Sequence, residues 1–509
     1  MEIKKAKKIG LFTAISMLIA SVIGIGIFLR NQGIFAINDN NSIGILLSWG
    51  IGTITALATA YSFAEISTSA KGKAGLGSWA EKLLGKKFGY FVKLNFPLFY
   101  LSLLGAVLAF FMGDAFFFLI GQEDVHFGWI GLFSLGFAVF IYIINYCSIK
   151  VSGVISIVAN VSKFVPIVAI IIISIVFSII NNDAGFFNPE TTTPDIVPPP
   201  INITGLLAAV PSVLFAFDSF LVVGNLSDDI IRPKKNVPIA VVLGISICAI
   251  IYILITIAQI LVMNGNALTF FQGIFPELDP SVIKGLSITM NIIITIAVIG
   301  VVNTIAAGTI RAHSVIINDK IAFFAPSIDF LSRKAFGKYK NENSTGFISA
   351  VFVFLFYWII LMIPSSIVGP NGNDHYLDWI SNFPTLFFFL IYGLVILGGF
   401  INRFTKKVEV TMIKGFTFAS IIAILFILFI FAYSFFYTNI AEPIINPNKL
   451  KNSLGLFHNS TISGGIISNQ EGAFIFAGFL LWFISLPFIN LGFRKLFKMN
   501  NKFLNKSTL

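Results

Sequence analysis

Twelve apolar stretches of membrane-spanning length recur along this 509-residue chain, and that recurrence constrains its fold more than any other feature. They lie at about 9–36, 43–66, 88–120, 128–148, 151–181, 203–226, 237–263, 285–311, 346–367, 379–400, 414–437 and 473–493. Lipid offers no hydrogen-bond partner to an open backbone, so each stretch is expected to be a helix. Charged residues make up only 11% of the chain and hydrophobic ones 56%, with a mean hydropathy of +0.90. An average soluble domain carries about 25% charge, and one aqueous core cannot hide this much apolar surface. The expected fold is an all-α polytopic membrane protein with twelve transmembrane helices.

The basic residues say which way the helices run. The net charge is +11, with 34 Lys and Arg. Of these, 28 fall at the termini or in even-numbered loops, while Arg30, Lys284, Lys449 and Lys451 fall on the opposite side. Cytoplasmic loops carry the excess of Lys and Arg, so both termini are expected in the cytoplasm of a multi-pass cell (plasma) membrane protein. The same distribution explains the positive charge without nucleic acid as a partner; membrane lipid is the expected surrounding. The excess of Lys over Arg points to a bacterial plasma membrane. Lys4, Lys5, Lys7 and Lys8 precede an apolar run too long for a signal peptide, so that run is expected to stay as the first helix. Cys147 and Cys248 have no Cys or His at ligand spacing, so neither a disulfide nor a metal site is expected. His126, His313, His375 and His458 are scattered without catalytic neighbours, and no phosphate-binding Gly-x-x-x-x-Gly-Lys-Ser/Thr loop occurs. The expectation is a protein that is not an enzyme and carries no cofactor.

Two spans are interrupted. The first contains Gly24-Ile25-Gly26 near its middle. Two readings are open: a stretch unwound by glycine's freedom from Cβ, or a small face for close helix packing. The sixth contains Phe215-Ala216-Phe217-Asp218-Ser219-Phe220. An ionised Asp at that depth costs at least ~2.5–3.5 kcal/mol, so Asp218 is expected either to face a polar cavity or to pair with another buried group. Interrupted helices at corresponding places in two halves point to a transporter's central site. Lys163 stands near the midplane of the fifth span, beyond snorkelling reach, whereas Lys93 near a boundary is read as snorkelling and Glu65 at a helix end as interfacial. The stretches 182–202, rich in Pro and Thr, and 438–472, rich in Asn and Ser, read as outside connectors.

Four segments resemble the amino acid–polyamine–organocation (APC) family of transporters. They are Ser21–Phe28; Ala60–Ser67 with Lys73-Ala74-Gly75; Lys163-Phe164-Val165-Pro166; and Phe215–Phe220 continuing to Arg232-Pro233-Lys234-Lys235-Asn236-Val237-Pro238. Ile25 stands where the family often has Ser, Ser219 where it often has Gly, and Leu221 where some exchangers of charged amino acids have an acid. The resemblance implies a 5+5 inverted repeat: a first repeat over 1–181, an extracellular connector at 182–202, a second repeat over 203–400, and helices 11 and 12 with a cytoplasmic tail over 401–509. The expected function is secondary active transport of an amino acid, by proton symport or by exchange. A polyamine or other organic cation is the alternative, and a channel or receptor lacks a filter sequence or a soluble domain.

A zwitterion needs an anion site and a cation site. The candidate substrate site in the first span is Ser21, Ile23, Gly24, Ile25 and Gly26, with freed N–H groups at Gly24–Gly26 to hold a carboxylate. In the sixth, carbonyls at Phe215 and Asp218 would hold the ammonium, with Ser219 beside them and Phe215, Phe217 and Phe220 as cover. Asn303 on the eighth span is expected to line the cavity or to bridge helices. Lys163 is the candidate coupling residue, either a proton-dependent tie to the unwound stretch or a permanent strut.

Overall fold

The computed structural model describes residues 10–24, 26–69, 75–122, 125–180, 201–218, 221, 230–262, 270–275, 279–341, 343–368, 377, 379–449 and 467–499. Among them all regular elements that cross the molecule are helical, and ten helices are long and apolar enough to span a membrane. Two further apolar helices are shorter, Leu11–Val22 and Ile203–Phe217. They are the two spans in which the sequence places interruptions. The protein is an all-α polytopic membrane protein.

The first span is two helices, α1 (Leu11–Val22) and α2 (Gly26–Ile37). It is followed by α3 (Ser42–Ile66), capped by Asn41, whose side chain accepts the Gly44 N–H at 2.8 Å. The amphipathic α4 (Leu76–Leu84) packs on α5 (Lys86–Asn95). A π-helical turn, Phe96–Leu101, joins α5 to α6 (Ser102–Leu119). Then come α7 (Phe127–Cys147), α8 (Ile149–Ser162) and α9 (Phe164–Ile180). The sixth span is α10 (Ile203–Phe217), and α11 (Pro233–Leu261) is the seventh. After a short α12 (Phe270–Ile274), α13 (Pro280–Asn318) runs well past the expected end at 311. The rest comprises α14 (Ala325–Phe336), α15 (Ser344–Val368), α16 (Asn382–Thr405), α17 (Phe416–Ala432), α18 (Glu442–Ile445) and α19 (Asn469–Leu496).

Two departures from regular helix have local causes. Pro166 cannot donate to the carbonyl of Ser162 and its ring crowds that oxygen, so the fifth span turns at Lys163 instead of continuing. Pro97 opens the third span in the same way. The Ser102 hydroxyl donates to the Pro97 carbonyl at 2.9 Å, and His313 of α13 lies 3.2 Å from that oxygen and 2.7 Å from Ser349 of α15. A carbonyl beside Nε2 requires that nitrogen to carry the proton, so Nδ1 accepts from Ser349. His313, called scattered from the sequence, thus clamps the π-helical turn across three helices.

Glu65, at the end of its helix, is not exposed there. It is buried in the last turn of α3, where Arg403 of α16 donates to both of its oxygens, from Nε at 2.9 Å and from Nη2 at 2.5 Å, and the Ile413 N–H adds a third bond. Lys93 does not simply snorkel, because it forms an ion pair with Glu81 of α4. Breaking a buried ion pair strands one charge, which costs about 3–5 kcal/mol when neither group reaches water. Arg403 is partly exposed, so Arg403→Ala is expected to cost less, ~2–3 kcal/mol, read as a fall in thermal midpoint in detergent. Glu65→Leu in the same chain should recover most of the loss. A double variant no more stable than the single one would contradict this assignment.

Candidate functional site

The first span stops being helical at Val22. The Ile23 N–H still reaches the Ile19 carbonyl at 2.9 Å, Gly24 lies in the bend, and α2 starts afresh at Gly26. Neither glycine adopts a left-handed φ. Small size is what these positions need. A Cβ on Gly26 would stand 2.8 Å from the Ala216 Cα of α10, and one on Gly24 would stand 3.3 Å from a methyl of Val301. The two readings of the glycine pair therefore both apply, one at each position: a break at Gly24 and a close crossing of two spans at Gly26. Ile25 lies outside the described residues.

The sixth span stops at Phe217, and Asp218 turns into extended backbone. Its continuation, Ser219 and Phe220 included, lies outside the described residues. Ending two helices in the middle of a membrane frees backbone groups that need partners. One side chain serves both breaks: the Tyr252 hydroxyl of α11 lies 2.8 Å from the Val22 carbonyl and 2.9 Å from the Ala216 carbonyl. It has a single proton to share between the two. The sequence reading missed Tyr252, although a lone tyrosine within Ile250-Ile251-Tyr252-Ile253-Leu254 has to find a polar partner. The Phe215 carbonyl, expected to be free, accepts the Asp218 N–H at 3.2 Å.

A cavity of about 40 Å³ lies between the breaks. At ~10–15 Å³ per water it holds about three. Ser21, Gly24, Gly26, Phe215 and Asp218 line it, and all five were expected there. Ser21 also ties its hydroxyl to the Leu18 carbonyl at 2.8 Å. The start of α2 presents the positive end of a helix dipole to this space, and the end of α10 presents carbonyls, so opposite partial charges face each other.

Three expected residues point elsewhere. Ile23 is buried and does not line the cavity. Phe217 packs between Trp49 and Tyr252, with ring centroids 6.2 and 5.0 Å away. Asn303 donates to the Ser152 carbonyl and the Ser156 hydroxyl, each at 2.9 Å, and accepts from Asn145 at 2.8 Å, so it bridges α13 to α7 and α8. The reason is helical geometry. Residues two apart are about 200° apart around the axis. With Phe215 toward the cavity, Phe217 faces away; with Val301 and Ile305 toward it, so does Asn303.

Asp218 both lines the cavity and pairs with a buried group. Its carboxylate accepts the Thr385 hydroxyl of α16 at 2.8 Å. Arg30, counted from the sequence among outside charges, is buried one helical turn after Gly26. Its guanidinium lies 4.3 Å from the Phe215 ring centroid and bonds Ser381, the residue before α16. Lys163 is buried at the turn between α8 and α9, where its amine bonds the Ala20 carbonyl and, at 2.9 Å, the Asn160 side chain. One buried cation thus fastens each half of the first span, Arg30 on α2 and Lys163 on α1.

Tyr252→Phe removes the one donor shared by two buried carbonyls. Leaving a buried acceptor without a partner costs about 1–3 kcal/mol. The expected result is a lower thermal midpoint and uptake reduced about tenfold or more, measured in proteoliposomes. Wild-type behaviour in both would mean that the hydroxyl does not hold the breaks.

An all-α membrane protein whose two interrupted spans meet at a buried cavity has the construction of a transporter. A family model described as amino acid permease matches residues 9–448, and the chain belongs to that family. This agrees with the resemblance carried by the four sequence segments. The chain is 26% identical over 260 residues to the serine/threonine exchanger SteT of Bacillus subtilis (strain 168), covering 51% of this chain and 56% of that one. It thus spans just over half the length of that exchanger. It is 24% identical over 442 residues to the b(0,+)-type amino acid transporter 1 of Mus musculus, covering 83% and 82%. It is also 24% identical over 264 residues to the methylthioribose transporter of Bacillus subtilis (strain 168), covering 50% and 54%. Family and relatives are transporters, not enzymes.

Proposed function

We propose that this protein is a secondary active transporter that carries an α-amino acid across the plasma membrane by alternating access. The observation that carries the reading is the meeting of the two breaks. The start of α2 offers N–H groups and the end of α10 offers carbonyls and Asp218 across one small cavity. An amino acid bears a carboxylate and an ammonium on one carbon, which suits two opposite partial charges a few ångströms apart. A polyamine or other organic cation would use Asp218 and leave the donors of α2 idle, so it fits less of the site. In this conformation the cavity is too small for an amino acid, and Tyr252 and Thr385 hold carbonyls of the two breaks and Asp218, which is what an unloaded transporter requires.

In this reading the substrate replaces part of the Tyr252 bridge, and the first span swings between two positions. The ties of Arg30 to α16 and of Lys163 to α1 lie on opposite sides of the cavity, and each would be remade in one position. Residues 1–181 and 203–400 are taken as the two inverted repeats, with 401–509 outside them. Lys163 sets the choice between proton symport and amino-acid exchange. The decisive experiment is uptake of a labelled amino-acid panel by proteoliposomes, with and without a proton gradient and with internal amino acid. Uptake of polyamines with no amino acid carried would reverse the order of the two readings.

The orientation, with both termini in the cytoplasm, rests on the basic residues. In a chain whose Cys147 and Cys248 are replaced, a cysteine at Ser460 is expected to react with an impermeant maleimide in intact cells, and one at Asn236 is not. Equal labelling of the two positions would overturn the topology.

A further inference from the structure

We propose that the cavity contains an aliphatic side-chain subsite and that the substrate is a neutral amino acid with an aliphatic side chain. This rests on the amino-acid reading above and names its substrate class. The wall opposite the breaks is built by Leu104 and Leu108 of α6 and Val301 and Ile305 of α13. Each pair is four residues apart, so each helix turns one aliphatic stripe toward the same space. The two stripes also close on each other: a Cβ on Gly105 would stand 3.6 Å from an Ile305 methyl. Val301 reaches across to the first break, where its methyl faces the Gly24 position.

The polar groups of the cavity are all on the other side, at the breaks. Asp218 is the one charged side chain among the described lining residues, and its carboxylate is already engaged by Thr385. An amino acid whose carboxylate and ammonium lie along the breaks must direct its side chain at the four-residue wall. A Lys or Glu side chain sent there would be buried without a partner, at several kcal/mol. A methylene sent there gains about fourfold in affinity, the equivalent of ~0.8 kcal/mol, until the wall is filled. A hydroxyl in place of a methyl meets only carbon on these four side chains and is disfavoured by ~10–100-fold. Valine and threonine, equal in shape, isolate that term. The chemistry departs from the serine and threonine for which the SteT exchanger is named.

The test is uptake of radiolabelled L-valine, L-threonine, L-lysine and L-glutamate by proteoliposomes, each preloaded with the same unlabelled amino acid. Valine is expected to exceed threonine at least tenfold in kcat/KM, with lysine and glutamate at the level of empty liposomes. Ile305→Thr should shrink the valine-to-threonine ratio several-fold, and Ile305→Val should keep it. Threonine carried as well as valine, or either charged amino acid carried efficiently, overturns the subsite and leaves amino-acid transport standing. Uptake of none of the four, nor of any other member of the wider panel, overturns the transport reading and the subsite with it. The wild-type protein alone decides between these results, so an unstable Ile305 variant does not blunt the test.

Discussion

Gly26→Val is expected to abolish uptake while the protein still inserts and purifies as a folded species. Gly26 is the first residue of α2, and its hydrogen is the only substituent that fits against α10. Any Cβ stands 2.8 Å from the Ala216 Cα, a main-chain atom that cannot rotate away. Valine adds two methyls and must push the halves of the site apart. Overpacking of this kind costs about 1–3 kcal/mol, too little to unfold a helical membrane protein of this size. The damage falls on function, because Ala216 also supplies one of the two carbonyls that Tyr252 holds. Moving α2 by about 1 Å separates the donors of one break from the acceptors of the other. Gly26→Ala should fall between wild type and Gly26→Val. The measurement is uptake in proteoliposomes together with size-exclusion behaviour, and normal uptake by Gly26→Val would show that this close crossing does not shape the site.

Lys163→Ala is expected to abolish concentrative uptake driven by a proton gradient while slower exchange persists. The amine is buried and its described partners, the Ala20 carbonyl and the Asn160 amide, are both neutral. A lysine amine can hold a carbonyl oxygen either as an ammonium or as a neutral amine. Charged, it binds the end of α1 strongly; neutral, it binds it weakly. The two positions of the first span then differ in proton affinity, which is the condition for coupling. A strut without a proton role predicts a different outcome: exchange and accumulation fall together. Accumulation at the wild-type level in Lys163→Ala would dismiss both roles. Proteoliposomes with an imposed pH gradient, assayed with and without internal amino acid, separate the three results.

What the sequence by itself determined is set by hydropathy and by residues with fixed local effects. Runs of apolar residues had to become helices because lipid leaves the backbone no other partner, and among the described residues helices of spanning length lie on ten of the twelve stretches. The interruptions at Gly24 and Gly26 and at Asp218 were legible for the same reason, since glycine and a mid-span carboxylate act on their own segment, whereas the turn before Pro166 falls in a stretch read as one continuous helix. Ser21, Gly24, Gly26, Phe215 and Asp218 consequently fell on the cavity as expected.

Which way each side chain turns was decided only in three dimensions. Phe217 and Asn303 stand in the right spans at the right depth, yet face Trp49 and Asn145, because azimuth depends on how a helix is rotated against its neighbours. Two-residue spacing ruled out Phe215 and Phe217 sharing a face, but not which of them would have the cavity. Arg30 and Glu65 looked like surface charges because their partners, Ser381 and Arg403, lie more than 300 residues away in sequence. Tyr252 and the aliphatic wall of Leu104, Leu108, Val301 and Ile305 were hidden in the hydropathy that identified their spans. In a membrane protein the side chains that line a site and those that face lipid are drawn from the same apolar residues, and only packing tells them apart.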